Sequence, residues 1–150
     1  MDKKLARLAP DLTKGYPRSP RDTLGGFVIA ARSVDKCRAE LAGTQGEYTY
    51  QPCGLTSMFL DFAGISAGAL RDFVATGADD QAVAAWIGEH AKVRDRLEII
   101  RWNNRMRELR LSDLPDDIQA MMEDYIPQNL PKHRPVYVFF DVYDLEEGRL

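Results

Sequence analysis

Lys14, Arg18 and Arg21 lie in a stretch rich in proline and glycine. It leads into Arg32, Asp35, Lys36 and Arg38, with Tyr48 a little further on. Arginine presents a planar fork of donors that matches a phosphate or a carboxylate, and a tyrosine hydroxyl can add a further donor. Lys14, Arg18, Arg21, Arg32, Asp35, Arg38 and Tyr48 are therefore the candidate ligand-binding set, and what they suit is the binding of a small anionic ligand, or of a protein partner, through the N-terminal arm and first helix. A second use of the region is catalytic, with Asp35, Lys36, Arg38 and Tyr48 as the acid–base cluster. No phosphate loop, dinucleotide fingerprint or nucleophile-elbow motif accompanies them, so no reaction is indicated and the balance leans away from an enzyme.

The same residues have a plainer reading. On a helical wheel Arg38 falls inside the apolar arc of a helix running from Leu24, and Asp35 falls at its edge. A charge on a buried face has to be paired. Asp35 and Arg38 are three residues apart and can meet on one helix. Such a pair would tie the N-terminal stretch, or the tyrosines at 48 and 50, to that helix. Arg18 and Arg21 would then need an internal anion, with Asp22, Asp35 and the acidic C-terminal segment as candidates. The internal partner is favoured over a ligand.

Pro17 and Pro20 keep the preceding segment extended, so about residues 1–23 read as an arm. The first helix follows from Leu24 and stops at Ala42-Gly43. Glu47 to Gln51 alternates like a strand with Tyr48 and Tyr50 on one side. Short helices are expected through Leu55–Phe62, after Ser66, and after Asp79, with Gly64 and Gly77 as stops. Lys92 to Leu111 reads as a long helix with two apolar stripes, one through Leu97 and Ile100 and one through Trp102 and Met106. Another helix follows Leu114-Pro115, and Pro127, Pro131 and Pro135 force an irregular connection. Val136 to Tyr143 alternates as a strong strand. The expected fold is mainly α (α+β by strict count): a bundle of about six helices with a small two-stranded β element, in one globular domain over residues 1–150.

The resources of the chain narrow its functions. At 150 residues with 45% apolar and 29% charged composition, it can bury one real core. Two histidines and two cysteines allow no zinc spacing, and neither a metal nor a cofactor is implied. The net charge of −3 gives no drive toward nucleic acid or an anionic membrane, and no apolar run is long enough to span one. Charge is unevenly placed, with seven basic against three acidic residues in 92–112 and three against nine in 113–150. Matching between these segments, within one chain or between two, is the simplest reading, and the double stripe on residues 92–111 predicts a homodimer through the Trp102 side. Asp141, Asp144, Glu146 and Glu147 read as a solvated acidic end. Cys37 reads as a buried, inert thiol and His90 as a satisfied core or helix-end histidine. No secretion signal is read at the N-terminus, and the cytoplasm is the expected location.

The stretches Leu12-Thr13-Lys14, Pro17-Arg18-Ser19-Pro20-Arg21, Leu24-Gly25-Gly26, Asp35-Lys36-Cys37-Arg38-Ala39 and Gly46-Glu47-Tyr48 together resemble a bacterial family, domain of unknown function 5069. The likeness is best over about the first 90 residues, through Phe59-Leu60-Asp61-Phe62 and Trp86-Ile87, and fainter beyond Lys92. It implies a bacterial cytoplasmic domain with no assigned activity, and it carries over no catalytic residue.

Overall fold

The computed structural model describes residues 3–150, which form two compact units, one ending at Ile100 and the other running Arg101–Leu150. The first unit contains α1 (Lys3–Leu8), a hairpin of β1 (Thr23–Leu24) and β2 (Phe27–Val28), α2 (Ala30–Ala42), α3 (Gly54–Ala63), α4 (Ala67–Val74) and α5 (Asp80–His90). Helix α6 (Arg96–Arg107) begins before the boundary and ends beyond it. The second unit continues with a short 3-10 turn (Leu111–Asp113), α7 (Asp116–Asn129) and α8 (Phe139–Glu146). The fold is mainly helical with one small antiparallel sheet, as expected, but with eight α-helices among the described residues. None of these helices is long and apolar enough to cross a membrane.

The β element is not where the alternation of residues placed it. Gly25 and Gly26 both have positive φ, at 63° and 89°, the backbone a two-residue hairpin turn requires. Thr23 pairs with Val28 and Leu24 with Phe27, so these residues are strands and the first long helix starts at Ala30. Glu47–Gln51 forms an irregular turn with no partner strand. Tyr50 is held by hydrogen bonds to helices instead: its amide donates to the Glu40 carboxylate and its hydroxyl to the Ala67 backbone carbonyl. Local stop and start signals fared better. Gly43 and Gly64 end α2 and α3 in the left-handed conformation, and the Ser66 and Asp79 side chains cap α4 and α5 by accepting from Ala69 and Ala82 amides.

Helix α2 is the axis of the first unit. Its residues Ala30 to Ala39 are all buried, among them Arg32, Ser33, Asp35, Lys36 and Arg38. Phe27 packs on Phe59 and Phe62 at ring-centre distances of 5.5 and 6.2 Å. The arm is clamped onto this core: the Leu12 amide donates to the Thr44 carbonyl at 2.8 Å, and the Thr44 hydroxyl donates to the Pro10 carbonyl at 2.8 Å.

In the second unit the Val136–Tyr143 strand is absent and α8 takes its place. Asp141 accepts the amides of Tyr137 and Val138, which supplies the start of a helix, and Phe139, Phe140, Val142 and Leu145 are buried by it. Burial of these side chains outweighs the strand preference of a β-branched and aromatic run. The acidic end is likewise not solvated: Asp144 and Glu147 are buried and both pair with Arg149. Pro127 lies inside α7 rather than ending it. On α6 Trp102 is buried and Met106 half-buried, while Leu97 and Ile100 stay 49% and 36% exposed, so the larger exposed apolar stripe is the one through Leu97 and Ile100.

Gly46 gives a test of the clamp on the arm. Its φ is +57°, and a Cβ there would lie 2.8 Å from the Leu12 carbonyl oxygen. Left-handed strain plus a backbone contact that cannot rotate away should make Gly46→Ala cost about 2 kcal/mol or more. The urea midpoint measures this, and a wild-type midpoint would show that the Leu12–Gly46 approach is soft.

Candidate functional site

The buried charges of α2 do not pair with one another. Asp35 is taken by Arg18 of the arm, which donates its amide at 2.9 Å, Nε at 3.1 Å and Nη2 at 3.0 Å. The other edge of the Arg18 guanidinium donates to Asp80, at 2.8 Å from Nη1 and 3.3 Å from Nη2. Arg38 donates Nη1 to the same Asp80 at 2.8 Å and Nη2 to the Ala78 carbonyl at 3.0 Å. The result is a four-membered chain, Asp35–Arg18–Asp80–Arg38, that joins the arm, α2 and the start of α5. The expected contact between Asp35 and Arg38 is replaced because Arg18 takes Asp35 through Nε and Nη2, while Asp80 and the Ala78 carbonyl answer Arg38.

Burial grades the members. Arg38 is 3% exposed, whereas the Asp80 side chain is 46% exposed and forms the rim of the cluster. Partial burial pushes the Asp80 carboxyl up, but the hydrogen bonds and charges of Arg18 and Arg38 outweigh it and hold the group below its ordinary range. For Arg18 partial burial opposes the charge, and the bonds to Asp35 and Asp80 more than reverse that.

The remaining candidates scatter. Arg32 is buried, donates Nη1 to the Arg18 carbonyl at 3.2 Å, and lies 5.7 Å over the Tyr48 ring. Arg21 is half-buried with its amide bonded to the Ser19 hydroxyl, and Lys14 is exposed with its charge acting on Asp11. Lys36 is buried and donates Nζ to Cys53 Sγ at 3.0 Å. Thus Asp35, Lys36, Arg38 and Tyr48, proposed together as an acid–base cluster, hold four different partners. Asp80 and Cys53 are the residues the sequence reading passed over. A signal existed for each: Asp80 sits in the first turn of a helix whose cap was recognised, and Cys53 immediately precedes the apolar run of α3.

Two adjoining cavities open beside the ion cluster. One, of about 540 Å³, is lined by Leu8, Arg18, Asp35, Arg38, Asp79 and Asp80 with Gln81. The other, of about 440 Å³, is lined by Lys4, Arg7, Leu8 and Asp79 together with Gly77, Ala78 and Ala82. They share Leu8 and Asp79, so a groove with Lys4, Arg7, Arg18 and Arg38 along it runs between α1 and the α4–α5 connection.

The profile of the family described as domain of unknown function (DUF5069) matches residues 14–149. The chain belongs to DUF5069. The match runs well beyond the first 90 residues and takes in both units, so the likeness to DUF5069 is not confined to the N-terminal part. Every member of the ion cluster, together with Lys36 and Cys53, falls within the matched span of DUF5069, whereas Lys4 and Arg7 precede it. No curated protein matches the chain.

Asp80→Asn should cost about 3 kcal/mol at neutral pH, because Arg38 would remain buried without a carboxylate. The sign with pH follows from the lowered carboxyl. The pairing contributes fully above the ordinary aspartate value of about 4 and is lost as pH falls through the lower folded value. The gap in stability between wild type and Asp80→Asn, read from urea melts, should therefore shrink below about pH 4. A gap that is small at neutral pH, or constant with acid, would mean that Asp80 only decorates the rim.

Proposed function

We propose that this DUF5069 chain is a non-catalytic binding domain of the bacterial cytoplasm whose groove takes a small anion carrying a carboxylate or a phosphate. The observation that carries this reading is the run of four cations, Lys4, Arg7, Arg18 and Arg38, along two adjoining cavities. Within the cluster Asp80 acts as the internal stand-in for the ligand. It is half exposed at the first position of α5, so it can leave to water while an incoming anion takes over its bonds to Arg18 and Arg38. Arg38 also keeps one buried donor, Nε, that no acceptor among the described residues takes. The N-terminal amides of α5 add to the preference for negative charge there.

Thermal melts in an amine buffer with inorganic phosphate, a dicarboxylate and a sugar phosphate at millimolar concentrations test this. One of these should raise the wild-type Tm by several degrees, and Arg18→Gln and Arg7→Gln should each abolish the rise. No shift with any of the three, or a shift equal in Arg18→Gln, would leave the cluster as a purely structural latch.

A second reading, self-association, rests on α6. Leu97 and Ile100 are exposed among the exposed bases Arg96, Arg101 and Arg105, and α7 exposes Met121 among Asp116, Asp117, Glu123 and Asp124. Opposite charge around apolar residues suits α6 of one copy against α7 of another. Sedimentation at low salt should show a dimer that weakens as salt is raised, and Leu97→Glu should give a monomer. A wild-type monomer at high protein concentration and low salt removes this reading.

A further inference from the structure

Lys36 is 5% exposed, and its ammonium donates a hydrogen bond to the Cys53 sulfur at 3.0 Å. A buried ammonium left without an anion costs several kcal/mol. The carboxylates of the same helix are already engaged, Asp35 by Arg18 and Glu40 by Arg71. The group placed against the Lys36 ammonium is the Cys53 sulfur, which as a thiolate would supply that anion. Cys53 is half-buried at the position preceding α3, between the exposed residues Pro52 and Gly54, with its amide bonded to the Gln51 side chain. Thr56, in the first turn of α3, is bonded through its hydroxyl to Ser33 of α2 at 2.7 Å, which fixes the two helices beside the sulfur.

We propose that Lys36 and Cys53 form a reactive ammonium–thiolate pair, and that Cys53 is a modification site for small hydroperoxides. The sulfur attacks one peroxide oxygen, an S–O bond forms and the O–O bond breaks. Sulfur loses two electrons to give the sulfenic acid, and the departing hydroxide or alkoxide takes a proton from the Lys36 ammonium, leaving as water or an alcohol. The amine of Lys36 then regains a proton from solvent. A hydroperoxide suits the site because the sulfur is half-buried, which favours a small electrophile, and because the leaving oxygen needs the proton donor that Lys36 supplies. Burial pushes the Cys53 thiol up, but the Lys36 charge and hydrogen bond, helped by Thr56, outweigh it and place it below its ordinary value. At Cys37 burial acts largely alone, the thiol is pushed up to about 12, and the sulfur is fully enclosed. The two thiols of the chain are thereby set apart.

The test oxidises the full-length protein with hydrogen peroxide from about pH 5.5 to 8.5, traps sulfenic acid with a 1,3-diketone, and maps it by mass spectrometry. A parallel series uses iodoacetamide. Both should modify Cys53 and not Cys37, with a rate midpoint below the ordinary thiol value near 8.5. Lys36→Gln should slow both reactions tenfold or more near neutral pH and move the midpoint up, and Lys36→Arg should retain most of the rate. An ordinary midpoint in the wild type overturns the pairing, as does equal reactivity in Lys36→Gln. A low midpoint with iodoacetamide but peroxide oxidation no faster than that of a free thiol overturns the assignment to hydroperoxides. Should Lys36→Gln fail to fold, the wild-type profile and Lys36→Arg decide.

Discussion

The first unit depends on the desolvation of one helix. Ten successive residues of α2 are buried, and half of them are polar or charged. No apolar neighbour can satisfy those groups, so each element packed on α2 has to bring a partner of the right charge. The arm brings Arg18 to Asp35, the start of α5 brings Asp80 to Arg38, and the start of α3 brings Cys53 to Lys36. Each partner lies on a loop or at a helix end, where the backbone can be aimed without disturbing a regular element. The polar side chains of α2 thus specify how its neighbours dock as much as its apolar ones do.

Pairing alone does not distinguish a strut from a site; exposure does. Asp35 is buried, and its bonds to Arg18 hold the arm to α2. Asp80 reaches solvent while bonded to two guanidinium groups, and the proposed exchange with an external anion rests on that exposure. The contrast between the cysteines follows the same logic. Cys37 is enclosed on α2, no cation among the described residues is bonded to its sulfur, and burial disfavours its charged form. Cys53, at the rim and bonded to an ammonium, has its charge favoured despite burial. Opposite tendencies arise in one chain from the same desolvation, because only one thiol is also given a counter-charge.

Much of the helical layout was legible in the chain, and the reason is local. Ser66 and Asp79 cap because their side chains bond to amides three residues on, and Gly43 and Gly64 stop helices because glycine accepts the left-handed conformation. That Arg38 would be buried and charged, hence paired, could also be read from the helical wheel, as could a tie between arm and helix. Gly25-Gly26 was misread because two glycines before an apolar run suit either a helix entry or a hairpin turn. What decides is the contact of the turn with α5, where a Cβ at Gly25 would come within 3.3 Å of the Ala84 carbonyl.

Composition, caps and periodicity were enough to establish a mainly helical chain with charged groups on a buried face, because each of those signals acts within a few residues. The identity of the partners belongs to the tertiary structure. Asp35 meets Arg18 across 17 positions, Arg38 meets Asp80 across 42, and Arg18 meets Asp80 across 62. Nothing in the spacing of residues carries such separations; they arise only when helices stack and desolvate a charge that must then be answered. The C-terminal segment makes the same point from the other side. Val136–Tyr143 has the local preference of a strand, yet it folds from Phe139 as a helix. With no neighbouring strand to take up its backbone groups, a helix satisfies them internally while burying Phe139, Phe140 and Leu145.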